Sequence, residues 1–533
     1  MKRGSSVSLR ATALALLVPL AACKVGPDFT EPSATVAERW LEAGDRAVIT
    51  DRRTEERWWT AFNDPALNRL IETAYSQNLT LLAAGTRVLE SRATLGVAIG
   101  EFYPQSQQLG GGLSFNRPSR NDPTASPLTD IGSFWRDTLS ASAAWELDFW
   151  GRFRRGVQAA DAAYLASIAT YDDVLVTLLG DVASSYVGIR TLQTQLVIAR
   201  ANVARQRMAL QIARDRFRGG VTTGLDVAQA ENVLAQTEAV IPQLTAQLEQ
   251  GLASLRVLLG MAPQSLDSLL AGPTTIPVPP ESVAIGMPAD LLRRRPDIRA
   301  AELTAAAQSE QIGMALADLY PAFHLSGVFG TQSSTVGANR LSNVFNASAI
   351  QFGFGVGFSW PILNYGQITN TVRVQDARLQ TLLIDYQNAV LRAQRDVESA
   401  LSGFLQGGRQ VAALRRSTAA AESALQIAMD QYTLGTRDFT TVLTAAQNLY
   451  TAQSSLASAM GTRVTSLTSV YRALGGGWQI REGREFVNEA TREQMRARTN
   501  WGRLLPATGT PEPAPPGLPG PADRGPDVRA PQW

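Results

Sequence analysis

Trp145-Glu146-Leu147-Asp148-Phe149-Trp150-Gly151 opens a proline-free run that lasts to Arg218, and 215 residues later Trp360-Pro361-Ile362-Leu363-Asn364-Tyr365-Gly366 opens a second one. The same spacing relates Gly220 to Gly435 and Gly260 to Gly475, and Phe102-Tyr103-Pro104 returns at nearly the same spacing as Leu319-Tyr320-Pro321. Each copy reads as a long helix, two strands, a very long helix, a glycine turn and a long return helix. A repeat of this length is a duplicated domain, not a short solenoid period.

The run after Gly151 carries Tyr164, Ile168, Tyr171, Leu175, Leu178, Val182, Ser185, Ile189, Leu192, Leu196, Ala199 and Val203 in alternating steps of four and three. That is a heptad seam, which predicts supercoiled helices. The second copy keeps its register in Leu379, Leu383, Tyr386, Val390, Ala393, Val397, Ala400 and Phe404. A helix this long reaches about 100 Å at 1.5 Å per residue. Such a rod suits a conduit across a wide compartment better than a globule. Gly220 and Gly435 mark the far ends, and glycine past a helix end is ordinary capping chemistry. Asp226 and Asp438 stand near the starts of the return helices, where a carboxylate suits unpaired N–H groups. Single helices are also expected over about 65–101 and 295–319.

Two-residue alternation runs from Phe134 to Phe149, with Leu139, Ala141, Ala143, Trp145 and Leu147 on one face. From Phe352 to Trp360, Phe352, Phe354, Val356 and Phe358 alternate with Gly353, Gly355 and Gly357. Weaker versions carry Leu109, Leu113 and Phe115, and then Phe323, Leu325, Val328 and Phe329. Apolar outward, small or polar inward and aromatic near the ends is the pattern of a transmembrane β-barrel. A soluble sandwich with one wet face is the bland alternative. Four strands cannot close a membrane barrel, and an open edge in lipid leaves backbone groups unpaired at several kcal/mol each. Several chains must therefore share one barrel, and three would give twelve strands and a lumen. The glycines would keep the inner wall clear, and the polar stretches 116–131 and 331–349 read as extracellular loops.

The remaining composition excludes much. Charge is nearly balanced at +2, so no nucleic-acid partner is expected. One Cys and one His exclude a disulfide framework and a Cys/His metal cluster. His324 has no second histidine, Asp172 and Asp173 are adjacent and diverge on a helix, and no catalytic triad can be assembled. No phosphate-binding loop is present, so the chain reads as passive and not an enzyme. The basic start Met1-Lys2-Arg3, the short apolar stretch 11–22 and Leu20-Ala21-Ala22-Cys23 form a targeting segment. No later stretch reads as a membrane-spanning helix. Arg293-Arg294-Arg295-Pro296-Asp297 reads as the solvated start of a helix, with Pro296 in its first turn.

Together these residues resemble the TolC-type outer-membrane efflux proteins, in the lipoprotein subgroup related to OprM and NodT. The carriers are the lipobox at 20–23, Trp58-Trp59 with Phe62-Asn63-Asp64-Pro65, the segment at 145–151, Leu291 through Ile298, Tyr320-Pro321, and Gln431-Tyr432-Thr433-Leu434-Gly435. The resemblance implies an α+β membrane protein: a homotrimer with a twelve-stranded β-barrel in the outer membrane, continuous with a periplasmic coiled-coil α-barrel. It implies diacylglycerol and an N-acyl chain on Cys23 and no other cofactor. Lys24 in place of an aspartate favours sorting to the outer membrane. It implies docking to a periplasmic adaptor and an inner-membrane transporter, of the RND class, and passive export of drugs or other small compounds. Counted from Gly435, the residues that close the periplasmic end in the family fall on Thr441 and Thr444, neither of them acidic. Tyr432 and Arg437 match a tyrosine and an arginine of that constriction, and Asp438 lies one turn nearer the tip. Gly220 and Asp226 belong to the first tip. The charge after the turn glycine stands on the second tip alone, which makes that half the expected controller of opening.

The boundaries expected are a signal peptide at 1–22, a lipid-anchored and equatorial part at 23–64, a first repeat at 65–260, and an equatorial linker at 261–294. A second repeat follows at 295–475, an equatorial C-terminal part at 476–505 and a disordered Pro/Gly-rich tail at 506–533. The strands are expected near 104–117, 132–149, 321–331 and 350–361. Other readings remain open: an exit duct for type I protein secretion or metal efflux, or a lipid-anchored coiled-coil scaffold or adhesin without a pore.

Overall fold

Two helices of 67 residues each, α3 (Arg152–Arg218) and α6 (Gln367–Thr433), form the long axis of the chain. The computed structural model describes residues 24–49, 56–119, 132–290 and 294–505. Cys23, the signal segment, the tail after 505 and the middle of the first loop lie outside the described residues. Each rod turns at its glycine and is answered by a 35-residue return helix, α4 (Gly224–Leu258) and α7 (Phe439–Ala473). Ahead of the rods stand α1 (Pro65–Gln77) and α2 (Leu79–Phe102) in the first copy and α5 (Pro296–Ala317) in the second.

The stretch expected as one helix over 65–101 is therefore two. Asn78 breaks it with an extended backbone, and its side-chain oxygen accepts the N–H of Leu81 as a cap. Its amide donates to the carbonyl of Leu258 at 2.9 Å, so the return helix α4 supplies the reason for the break. Neither Gly nor Pro marks the position.

The sheet joins the two copies. Strands β2 (Ser106–Asn116), β3 (Phe134–Leu147), β5 (Ala322–Ser334) and β6 (Ile350–Ser359) lie in that order, all antiparallel. The register puts Leu109, Ala141, Phe329 and Phe352 abreast on one face, and Ser142, Val328 and Gly353 abreast on the other. Val328 thus leaves the apolar face expected for it. A Cβ at Gly353 would meet the Val328 side chain at 3.3 Å, so the glycine makes room for a bulky residue on the otherwise small-residue face. β5 also extends to Ser334, past the loop boundary expected at Thr331, because β3 continues beside it as far as Arg136. Phe352, Phe354, Val356 and Phe358 are 69–83% exposed, and β2 and β6 are free edges within the chain.

The repeat repeats its hydrogen bonds. Trp145 donates its indole N–H to the carbonyl of Phe102 at 3.3 Å, and Trp360 does the same to Leu319 at 2.9 Å. In each copy the strand end is tied to the end of the helix that precedes it.

Burial along α3 is wider than a heptad stripe. Ile168, Tyr171, Leu175, Leu178, Val182 and Ile189 are buried, but so are Ala166, Ala169, Ala183 and Tyr186 between them. The helices α1, α2, α4, α5 and α7 all pack on this rod, so its upper half is enclosed on several sides. One 18-residue window of α3 is apolar enough by composition to cross a membrane, contrary to expectation. It is 56% buried in the chain, and its apolar character is used in packing.

A girdle of short elements wraps the rods at mid-height. Trp58 and Trp59 in a 3-10 turn, Leu266, Ile276, Val283 and Ile480 share one core with Leu175, Leu179, Val397 and Phe404. Trp58 stacks on Tyr471 at 5.3 Å. Strands β1 (Val48–Ile49) and β4 (Val283–Ala284) pair in parallel across it. The girdle ends in α8 (Glu489–Arg498).

Polar groups lock the girdle to α3. Arg481 holds Asp172 through two hydrogen bonds of 2.5 and 3.0 Å. Tyr186 donates to Asp64 at 2.5 Å, and Arg190 donates to Tyr186 and to the Leu270 carbonyl. Asp64 meanwhile caps α1 by accepting from Ala66. Burial pushes Asp172 up to about 6, against the pull of Arg481, and burial with the bond to Asp64 pushes Tyr186 up to about 12. Arg295 is likewise not a solvated helix start. It is largely buried, donates twice to Asp297 at 3.0 and 2.7 Å, and reaches the Ala473 carbonyl at the end of α7.

Candidate functional site: the helical tips and the sheet–rod junction

The rods end where sequence places their glycines. Gly220 and Gly435 have φ of +72° and +75°, a left-handed turn that a side chain would strain. At the second tip Asp438 caps α7: its carboxylate accepts the N–H of Thr441 at 3.2 Å and the Thr441 hydroxyl at 2.5 Å. The hydroxyl and N–H of Thr441 hold that carboxyl below its ordinary range, with Arg437 adding to the effect. Asp438 and Arg437 are both exposed. Thr444 is also exposed and donates to the Thr440 carbonyl. Asp226 stands in the first turn of α4, as expected, but does not cap it: Thr223 is the N-cap and makes no side-chain bond there. Asp226 instead takes the hydroxyl of Thr222.

The contact between the two tips was not legible from the motifs. Arg216, in the last turn of α3, lies over the Tyr432 ring at 4.7 Å and donates to the carbonyls of Tyr432 at 2.9 Å and Thr433 at 3.2 Å. Those carbonyls are the negative end of α6, so a guanidinium there is doubly favoured. Tyr432 is buried, packs on Phe439 at 5.0 Å and joins Leu210, Ala213, Ala230 and Val442 in a small apolar cluster. Its hydroxyl closes no hydrogen bond among the described residues. Burial pushes the Tyr432 hydroxyl above its ordinary range and so keeps it neutral, with the Asp226 carboxylate adding to the effect. Charge at the tips is not confined to the segment after Gly435: Arg216 and Asp226 of the first tip converge on Tyr432 of the second. The only sequence signal for Arg216 was its place among the cations Arg214, Arg216 and Arg218 at a helix end, which does not reveal its target.

At the other end of the rods, the chain emerging after Cys23 is pinned to the sheet–rod junction. The N–H of Val25 donates to the Trp150 carbonyl at 3.1 Å. Lys24 donates to Gln158 at 2.9 Å and pairs with Asp28 at 3.1 Å. Arg155 is 1% exposed, pairs with Glu310 at 2.7 Å, and donates to the carbonyls of Val25 and Gly26. Around this point Trp150 stacks on Tyr320 at 4.6 Å, and Phe149 packs edge-on against Phe323.

Among the described residues no group of three or more His, Cys, Asp or Glu side chains could hold a metal. What the chain offers is a bare sheet, two rods and a bridged tip. Comparison with known proteins agrees. A profile described as "Outer membrane efflux protein" matches residues 70–261 and 287–476. The chain is 32% identical over 470 residues to the pyoverdine export outer membrane protein OpmQ of Pseudomonas aeruginosa, covering 86% of this chain and 95% of that protein. It is 30% identical over 460 residues to nodulation protein T of Rhizobium leguminosarum bv. trifolii, with the same two coverages. The solved outer-membrane channel OprN superposes with a TM-score of 0.80 at 31% identity, over 86% of this chain and all of that one. With a duplicated fold matched along both halves, this chain belongs to the outer membrane efflux protein family and is an outer-membrane exit duct of an efflux pump that extends into the periplasm.

Proposed function

We propose that three copies of this chain close a twelve-stranded barrel, and that the tips joined by Arg216 and Tyr432 are the periplasmic gate of the resulting duct. The observation that carries the trimer is the sheet itself. Four strands have bare apolar residues on one face, glycine, serine and glutamine on the other, and two unpaired edges. Lipid does not tolerate such edges, and three copies would remove them while leaving a lumen. The apolar face meets lipid in this reading, and Gly353, Gly355 and Gly357 face the pore.

Cys23 is read as the acylated N-terminus, as its lipobox resembles. The support is geometric: the residue two places later is bonded to Trp150 at the aromatic junction, where an anchor in the inner leaflet would sit. Mass spectrometry of the mature protein should find the acyl mass on Cys23, and an unmodified N-terminus would refute the anchor. A periplasmic adaptor and an RND-type inner-membrane transporter supply the energy in this reading. The cargo is a small molecule, in line with the pyoverdine export for which OpmQ is named.

Gating is tested by single-channel recording. Arg216→Ala removes the guanidinium that bridges the two tips, so its open probability or conductance should rise over the native protein. Arg437→Ala and Asp438→Ala probe the second tip, Asp438 through the cap of α7. If all three variants conduct as the native protein does, the tips do not form the gate.

A further inference from the structure

Just above the tip a 370 Å³ cavity opens between the two helical hairpins, with walls from α3, α4, α6 and α7. Its apolar lining includes Val233, Phe439 and Val442, all buried, and the thioethers of Met208 and Met429. Into this lining α3 brings Gln206, only 5% exposed. Both the oxygen and the nitrogen of its carboxamide are buried and close no hydrogen bond among the described residues. One turn earlier on the same face, the amide nitrogen of Asn202 is engaged, donating to the Ile198 carbonyl and to Gln453 at 2.9 and 2.8 Å. The contrast matters because an unpaired buried carboxamide carries a desolvation penalty that its neighbour avoids.

We propose that this cavity is a binding site for a small, uncharged, planar molecule that carries a hydrogen-bond donor and an acceptor side by side on an apolar ring, as an aromatic primary amide does. Such a group answers both ends of Gln206 at once, and its ring lies among Phe439, Val442 and the two methionines, whose sulfurs favour aromatic partners. The charged residues of the lining, Arg205, Glu422 and Asp430, are all exposed, so beside the buried Gln206 a neutral ligand is favoured over a charged one. All of the lining described comes from one chain. Because both hairpins contribute walls, an occupant bridges them next to the contact between Arg216 and Tyr432.

Benzamide is the probe, titrated onto the detergent-solubilised full chain and followed by saturation-transfer NMR. A nine-atom fragment in a formed pocket should saturate near about 1 mM. N,N-dimethylbenzamide, which keeps the ring and the acceptor but has no donor, should bind about tenfold more weakly. Gln206→Leu should weaken benzamide about tenfold and bring the two probes level. Met208→Trp, at an exposed position on the mouth, should reduce both without touching the core. Absence of saturable binding up to about 10 mM would mean that water alone fills the cavity and would overturn the proposal. So would benzamide binding that neither substitution alters.

Discussion

An arginine in place of Phe354 is expected to keep the chain out of the outer membrane, whereas an arginine at the next residue, Gly355, is expected to leave assembly intact and lower conductance. The two positions are adjacent and lie on opposite faces of β6. Phe354 is 75% exposed and shares its face with Phe352, Val356 and Phe358. A cation near the middle of a lipid-facing surface costs about 2–4 kcal/mol per copy, and three copies bear it together in a trimer. Gly355 lies opposite Ser326 on the small-residue face, where a Cβ would meet only the Ser326 hydroxyl, at 3.7 Å. A side chain therefore fits there without distorting the sheet. Folded trimer recovered from the outer-membrane fraction measures the first effect, and single-channel current the second. If Gly355→Arg is the variant that fails to insert and Phe354→Arg assembles normally, the faces are assigned the wrong way round.

Arg481→Ala should be the most destabilising single change in the girdle. The guanidinium and the Asp172 carboxylate are 14% and 6% exposed, and removal of Arg481 leaves a buried carboxylate without its two hydrogen bonds. Breaking a buried pair from one side costs about 3–5 kcal/mol. The loss should depend on pH. In the native chain burial already raises Asp172 to about 6, so the folded form takes up this proton before the unfolded form does. The ionised carboxylate is thus the less favourable form in the fold, and this group's contribution to stability improves as pH falls from about 6 towards the ordinary carboxylate range. Without Arg481 the carboxyl should protonate still more readily. The deficit of the variant should be largest near about pH 8 and shrink near about pH 5. Denaturant midpoints at the two pH values check this, and an equal loss at both would refute it. Replacing the pair together, with Asp172→Leu and Arg481→Met, should lose less than Arg481→Ala alone, since no uncompensated charge remains.

The doubling carried most of the architecture in plain sight. Trp145 and Trp360, Gly220 and Gly435, and Gly260 and Gly475 mark equivalent points, and their spacing alone orders the helices and strands of both copies. Strand alternation in β6 was equally legible because its inner face is glycine, leaving no ambiguity about phase. Val328 misled for the opposite reason. It is apolar and follows two apolar partners, yet its even place among Phe323, Leu325 and Phe329 sets it on the other face, as its register with Gly353 shows.

The features hidden from sequence are those that depend on a distant partner. Asn78 breaks a helix because Leu258, far along the chain, accepts its amide. Arg155, Arg190 and Asp172 look like solvated charges on an amphipathic rod, yet each is buried against a segment from elsewhere. A seven-residue pattern describes a rod with one contact stripe. It cannot describe a rod enclosed by five others, for which the many buried alanines of α3 were the better signal. At the tip, Tyr432, Asp438 and Thr441 could be placed by counting from Gly435. Arg216 could not, because a cation at a helix end suits that helix's own carbonyls and nothing in the local sequence shows that it serves those of α6.

The central claim is that three chains share one pore lined by the glycine face of the sheet. Recording from Gly355→Cys in a planar bilayer, while a charged methanethiosulfonate reagent is added, tests it most directly. Cys23 is the one natural cysteine, and in this account it is blocked by its lipid. The current should fall in discrete steps, three at most, one for each chain, and Phe354→Cys should not respond. A bilayer that carries no current, a current indifferent to Gly355→Cys, or a block seen with Phe354→Cys instead would contradict the account.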